Sequence, residues 1–562
     1  MLRLRKVRGT RVPVVREDAS WTPVTAAQQG IWVLEQIDRL RPSYLLPTVL
    51  EFAGAVRHEV LRAAVEHVFG RHPSLRSRFR LNHALRRVEY CAEGTAPEVG
   101  LIDFERDGWP RKELGRMVEA LCYSPFDLAA EPPARAEVLK VDGECTLLVL
   151  TVHHIAFDGW SRRLVVDEIA TVYRAWCAGA EPGLPPAPHP AEVLRPAPAE
   201  DVAEQVAAVV QRLRGAPTDI ALPYDHPPED PDLSLVGSSA ETVLPADVTE
   251  RVLAAATAEG ATVFMAGVAL LAATLARTTE QRDFLFAVVW PGRDDPEAAG
   301  VVGMFGSTLV LRMTVDERTT WRELLRQSRA ASTAAFVDAD APLPDVAAEL
   351  APGRDVARTP LTSVLVNLAE VPEVPLFASG LTVRYRPLEP QYSKFDLALF
   401  VRLCDDARLE LLLDHPAPLF RPATVAGLLT ALRASAAALA RSVEETVLAE
   451  EPNPVFDPAD PAARRALVRS VWCEVLDTGD VGDDVSFFDA GGDSLRLVIL
   501  VEKLSQVSGR PLRTTDLFRA GTVRGQAELI AAPAGQAPAG ATPGSRERLL
   551  GALRANSADH DS

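Results

Sequence analysis

The sequence predicts a mixed α/β protein followed by a small all-α domain. Three observations carry this. Residues 145–176, CTLLVLTVHHIAFDGWSRRLVVDEIATVYRAW, join a short apolar, β-branched run to an amphipathic helical pattern. Residues 263–276 are a long apolar run, and 283–296, DFLFAVVWPGRDDP, read as a wholly apolar strand ending in a Pro-Gly turn. Beyond a Pro- and acid-rich stretch, residues 467–476 and 489–504 carry apolar positions on one helical face.

A chain of 562 residues has room for three or four domain-sized units. Its formal net charge of -18 argues against a nucleic-acid or anionic-membrane partner. The longest apolar run, 263–276, is too short to span a bilayer and reads as a buried core helix. Residues 1–16 are basic but lack the apolar core of a signal peptide, so they read as a solvated arm. Cys91, Cys122, Cys145, Cys177, Cys404 and Cys473 are scattered with no CxxC spacing, which fits reduced thiols and a cytoplasmic protein.

In chain order, residues 21–38 read as a turn entering a helix. Residues 55–69 repeat Leu61, Ala64, Val65 and Val68 at i, i+3, i+4 and i+7, and Gly70 is expected to stop that helix. Residues 146–152 read as a buried strand. Val165, Ile169, Val172, Tyr173 and Trp176 then mark one helical face. The strand-to-helix connection is expected to need Gly159, and Asp158 or Ser161 can cap the helix.

Between strand and helix stand His153 and His154. Adjacent strand residues point to opposite faces, so only one of the two can face a given cleft. A neutral imidazole suits a general base near neutral pH. The other reading is two core histidines. A metal site is disfavoured, because neighbouring strand positions cannot both reach one ion and no nearby Cys or His completes a set. Asp158, in a short loop aimed back into the fold, reads as an ion-pair residue rather than a second catalyst.

Residues 181–198, rich in Pro and Ala, are expected to exclude regular structure and form a hinge between two lobes. Residues 446–460 read as a linker. In the terminal domain Leu467, Val468, Val471, Trp472, Val475 and Leu476 mark a helix, with Phe487 and Phe488 as a second apolar anchor. The Gly-Gly of DAGGDSL presents Ser494 at the start of a helix carrying Val498, Val501 and Leu504 on one face. Backbone N–H groups and the helix dipole favour a phosphate there, although Ser is also a favoured N-cap. Residues after 530 have linker composition, and 546–555 are a short helix candidate that could dock a partner.

Residues 153–161, HHIAFDGWS, resemble the HHxxxDG signature of condensation domains of non-ribosomal peptide synthetases, members of the chloramphenicol-acetyltransferase-like superfamily. Further segments resemble that family in order. They are Thr25, Ala27, Gln28 and Trp32 of the opening helix; RHPSLRSRF at 71–79; PFDL at 125–128 with Arg135; and LPYDHPP at 222–228. After these come Gly292-Arg293, VGMFGSTLVLR at 302–312, DADAPLPD at 338–345, GRDVARTPL at 353–361 and KFDLAL at 394–399. Gly306 and Ser307 stand where the family has Val-Asn, and its Tyr-Asp-Tyr-Trp-like motif is not found. DAGGDSL resembles the GGxSL signature of acyl and peptidyl carrier domains.

The resemblance implies two chloramphenicol-acetyltransferase-like α/β lobes in a V-shaped condensation domain, plus a four-helix carrier. The expected domains are a basic arm at 1–16, lobes at 17–182 and 183–445, a linker at 446–460, a carrier at 461–533 and a tail at 534–562. His154 is the implied catalytic residue, in the HHxxxDG context of His153, Asp158 and Gly159. The implied Asp158–Arg293 ion pair would support it. Ser494 would carry 4'-phosphopantetheine, loaded from coenzyme A by a phosphopantetheinyl transferase. The implied reaction is amide formation by attack of an amine on a thioester.

No adenylation segment separates the two domains. The expected partners are therefore a stand-alone or other-module adenylation domain, an upstream donor carrier protein and a downstream module or release enzyme, with no nucleic acid and no membrane. Three alternatives remain open to the sequence. They are an ester-forming or soluble-acceptor acyltransferase, a non-catalytic partner-recruiting domain, and an epimerisation domain, whose Glu-Gly-His-Gly-Arg motif is not found.

Overall fold

The computed structural model describes residues 20–37, 44–193, 198–226, 236–351, 361–369, 373–388, 392–404, 406–449, 461–476, 478, 481–508 and 512–531. The arm 1–16, the tail 534–562 with its helix candidate, and most of the linker 446–460 and of 353–361 lie outside the described residues. The chain divides into two compact units, 1–449 and 450–562.

Among the described residues the larger unit is built on three sheets. In chain order the strands are β1 (Thr22–Pro23), β2 (Leu45–Ala53), β3 (Arg78–Asn82), β4 (Arg87–Cys91), β5 (Val99–Asp103), β6 (Ala134–Lys140) and β7 (Cys145–His153). There follow β8 (Gly237–Val243), β9 (Asp283–Trp290), β10 (Ser307–Thr314), β11 (Val364–Leu368), β12 (Thr382–Tyr385), β13 (Leu397–Leu403) and β14 (Leu409–Pro416). One sheet has the order β12-β2-β7-β6-β5, a second β10-β9-β11-β13-β14-β8, and a small third β1-β4-β3.

β7 is apolar from Leu147 to Leu150 and buried at every position after the first, because both of its faces are covered. Leu148, Leu150 and Val152 enter one core with residues of the helices His58–Arg71 and Gly159–Cys177. Leu147 and Val149 enter another with the helix Leu114–Tyr123. Each such side chain contributes about 1.5–3 kcal/mol by leaving water. The helix His58–Arg71 does not stop at Gly70 as the sequence suggests. It runs to Arg71, and His72 turns extended (φ -91°, ψ 116°) because Pro73 follows.

In the second lobe the helix Val263–Thr278 starts at Thr262, whose side chain accepts from the Met265 N–H. It is buried nearly all round, between the second sheet and the helices Ala246–Ala258, Trp321–Val337 and Pro422–Arg441. A Cβ at Gly267 would stand 2.4 Å from Val401, so the bare glycine sets how closely this helix approaches β13. Pro422–Arg441 is the one described helix long and apolar enough to cross a membrane. Its Val425, Leu428, Leu432 and Ala436 are buried in this same core.

Two findings differ from the sequence reading. The proline-rich connection does contain one helical turn, Pro190–Val193. Proline is tolerated at a first helical position, where its missing N–H would have no partner in any case. In addition, a segment that follows β11 of the second lobe returns to the first lobe. β12 pairs antiparallel with β2 through Tyr385–Leu50 to Thr382–Ala53, and Phe377 lies edge-on to Phe52 at 4.9 Å.

Among the described residues the smaller unit holds four helices, Pro461–Leu476, Ser494–Ser508, Thr514–Arg519 and Val523–Ala531. Its core joins Val468, Trp472, Phe487, Leu500, Leu504 and Ile530. The Trp472 indole N–H donates to Gln526 Oε1 at 2.7 Å, which satisfies the one polar atom that burying the ring brings with it. Phe488 is not the anchor the sequence suggests. It is 42% exposed, whereas Phe487 is buried.

Candidate active site

The histidine pair sits where β7 ends. His153 is the last strand residue, and His154 opens a single 3₁₀ turn to Ala156, so the two are not successive strand positions as the sequence reading assumed. The register of β2 and β7 places Leu45 opposite His153 and hence Tyr44 beside His154. The His154 N–H donates to the Tyr44 carbonyl at 2.8 Å.

The hydrogen bonds fix both tautomers. His153 Nδ1 accepts the Ile155 N–H at 3.1 Å, so in the neutral ring its proton is on Nε2, which donates to Glu35 Oε1 at 2.9 Å. His153 is 1% exposed, and burial lowers its pKa against the pull of Glu35. His154 is wired the other way. Its Nδ1 donates to the Phe157 carbonyl at 2.7 Å, which leaves Nε2 as the lone-pair nitrogen, with no hydrogen bond among the described residues. Burial first, and then the Lys394 ammonium, push His154 down to about 4. The ring is therefore neutral at working pH, able to accept a proton at Nε2.

Gln28 braces this loop. Its Nε2 donates to the Ile155 carbonyl at 2.7 Å, while Thr25 bonds the same side chain from the start of the helix Ala26–Ile37. Met304 packs into the small cluster that holds Ile155 and Ala156, so the second lobe lies against the histidine loop.

Asp158 begins the helix Gly159–Cys177 and is its N-cap, accepting from the Ser161 N–H at 2.8 Å. It also meets Arg293 in a forked pair: Nη2 reaches Oδ2 at 2.9 Å and Oδ1 at 3.0 Å, and Nε reaches Oδ2 at 3.3 Å. Arg293 further donates to Ser161 Oγ and to the carbonyls of Ala298 and Val301. Ser161 Oγ accepts from Gly303 N–H and donates to the Gly303 carbonyl. This network fastens residues 293–305 of the second lobe to the helix start beside His154. Gly292, at φ +64°, is required here, since a Cβ would fall 2.3 Å from the Phe305 carbonyl oxygen.

Gly159 is not required by conformation. Its φ is not left-handed and a Cβ would meet nothing within 4 Å, because the extended Asp158 (φ -125°, ψ -179°) already makes the turn. Ser307 begins β10 opposite Trp290, directly after Gly306 and the Phe305 anchor. Glu35 and Tyr44 lie at the site but carry no local signal, and Lys394, the first residue of KFDLAL, had no role read for it: each enters through a contact with a distant segment.

In the smaller unit Ser494 is the first residue of a helix of 15 residues. The preceding turn needs its glycines. Gly491 has φ +95°, and a Cβ at Gly492 would lie 2.3 Å from the Phe487 ring. The cap is Asp493, whose side chain accepts from the Arg496 N–H at 2.8 Å. Ser494 is thus not the N-cap. It stands at a helix start whose backbone N–H groups and dipole favour an attached phosphate, and this fits a phosphopantetheine group.

Comparison with known proteins adds the following. The family description "Condensation domain" matches residues 19–451, and "Phosphopantetheine attachment site" matches 466–530. The isonitrile lipopeptide synthase of Mycobacterium tuberculosis is 30% identical over 440 residues, 76% of this chain and 17% of the relative. The dimodular nonribosomal peptide synthase of Bacillus subtilis is 30% identical over 424 residues, 72% of this chain and 18% of the relative. The chain thus spans less than a fifth of the length of either relative. Among solved structures, the X-domain from teicoplanin biosynthesis superposes with a TM-score of 0.64 at 22% identity, covering 77% of this chain and 98% of that one. The first condensation domain of the calcium-dependent antibiotic synthetase gives 0.62 at 22% identity, covering 76% and 99%. Both structures share the fold of the larger unit.

Proposed function

Because this chain belongs to the condensation-domain family and carries a phosphopantetheine attachment domain, we propose that it works as a condensation–carrier didomain of a non-ribosomal peptide assembly line, forming an amide by acyl transfer. The observation that carries this reading is the wiring of His154: Nδ1–H is held by Phe157 O, and Nε2 is left to accept a proton.

In the proposed reaction the amine nitrogen of one substrate forms a bond to the thioester carbonyl carbon of the other, and the C–S bond breaks. His154 Nε2 takes the proton the amine loses and returns it to the departing sulfur, so a thiol and an amide result. His153 holds the Ile155 N–H and so the shape of the loop. Asp158 and Arg293 keep the second lobe against it. A phosphopantetheine arm on Ser494 would supply the thiol that carries a substrate as its thioester. General-base assistance of this kind contributes about 10²–10⁴-fold, and holding two substrates end to end contributes more.

The reading extends to partners. The carrier serine needs a phosphopantetheinyl transferase and coenzyme A, the amino acid an adenylation domain, and the donor an upstream carrier protein. A downstream module or release enzyme would take the product. Such an assembly works in the cytoplasm.

The test has two steps. Intact mass after incubation with coenzyme A and a broad-specificity phosphopantetheinyl transferase should rise by one phosphopantetheine in the wild type and not in Ser494→Ala. The loaded protein, charged with an aminoacyl group and given an acyl thioester on a separate carrier, should then form an amide. His154→Ala should slow that step by about 10²–10⁴-fold. Loading without any acyl transfer, neither amide from amine acceptors nor ester from alcohol acceptors, would overturn the condensation reading.

A further inference from the structure

Lys394 precedes β13 in the second lobe, yet its Nζ lies over the ring of Tyr44 in the first lobe, 3.9 Å from the centroid. Tyr44 is the residue whose carbonyl holds the His154 N–H. The cation therefore reaches the histidine loop through the residue that fixes His154. A second ring pair, Tyr123 with Tyr392 at 6.5 Å, joins the same short segment to the first lobe. Other charged and titratable groups face this place from every packed element. They are Glu35 on the helix Ala26–Ile37, His153 and His154 at the end of β7, Arg135 on β6, and the Tyr44 phenol. Asp396, two residues on, is turned away and accepts from the Tyr224 hydroxyl.

We propose that Lys394 is an electrostatic positioning residue for the acyl transfer, a cation delivered by the second lobe to the histidine loop of the first, where it opposes a second positive charge on His154. This deepens the condensation reading and rests on it. A base must be neutral when the amine arrives, and a fixed ammonium nearby adds to burial in lowering the ring's midpoint, which widens toward acid the pH range in which it is neutral. Solvent still reaches Lys394, but the protein crowds its ammonium and pushes it down to about 8, against the pull of Glu35. The cation is thus present at neutral pH and lost in mild alkali, whereas an arginine in its place would stay charged.

The test reads His154 directly, in the full-length holo protein. Histidine ring carbons are labelled and followed by NMR, with His154→Gln used only for assignment. At pH 5.5 a His154 that titrates at about 4 is about 3% charged, and a midpoint about one unit higher makes it about a quarter charged. Lys394→Met and Lys394→Gln should show the higher fraction, and Lys394→Arg the wild-type one. In the condensation assay, the acid limb of kcat/KM should move up by about one pH unit in Lys394→Met and Lys394→Gln and stay in place in Lys394→Arg. An unchanged His154 in Lys394→Met, or equal changes in Met and Arg variants, would overturn the proposal whatever the protein condenses. A supporting NMR result in a protein that forms no amide would overturn the condensation reading and leave the electrostatic contact standing.

Discussion

Arg293 and Asp158 offer the sharpest test of how the two lobes are held at the site. The Arg293 side chain is 4% exposed and that of Asp158 10%. Replacing Arg293 by Gln leaves a buried carboxylate without its forked partner, and it also removes donors from Ser161 Oγ and from the carbonyls of Ala298 and Val301. Removing one member of a buried pair costs about 3–5 kcal/mol, because the charge left behind is desolvated and unpaired. Asp158→Asn keeps an oxygen for the Ser161 N–H cap and removes the charge, so it should cost a similar amount. In the double variant neither charge is stranded. Its cost should fall short of the sum by about 2–3 kcal/mol. The assay is urea unfolding of the four proteins, read on the transition of the larger unit. The smaller unit should melt alike in all four and serves as an internal reference. Additive costs, within about 0.5 kcal/mol, would refute the claim that the pair acts as one latch.

Three further outcomes are expected. Gly292→Ala should destabilise the larger unit by about 1–3 kcal/mol in urea, since the new methyl meets the Phe305 carbonyl and the backbone is left-handed. Phe377→Ala should cost about 3–5 kcal/mol, because its ring fills the first-lobe core against Phe52 and Tyr173 although it follows β11 of the second lobe in sequence. Stability should fall with acid. His154 titrates at about 4 when folded and near 6.5 when unfolded, so its contribution is full above about pH 6.5 and is lost as pH falls toward 4, by up to about 3 kcal/mol. Urea midpoints at successive pH values should show that loss, and His154→Gln should reduce it.

The sequence alone determined what short-range chemistry can encode. The apolar run of β7, the helical face from Val165 to Trp176, the apolar run of the core helix at 263–276 and the Gly-Gly turn before Ser494 all depend on residues within a few positions of one another. Backbone geometry reads such spacings directly, and the ordered motifs HHIAFDG, Gly-Arg and GGDSL ride on those elements. The tertiary structure decided which partners meet. Adjacent residues gave no sign that His153 would be held by Glu35 and His154 by Phe157 O, which is what leaves one Nε2 open and not the other. Nor could they say that Asp493 caps the helix at Ser494, that Phe377 and β12 complete the first lobe, or that Lys394 crosses to Tyr44. The physical reason is sequence separation. Lys394 and Tyr44 are hundreds of positions apart, and a charge acts through distance in space, which only the closed fold sets.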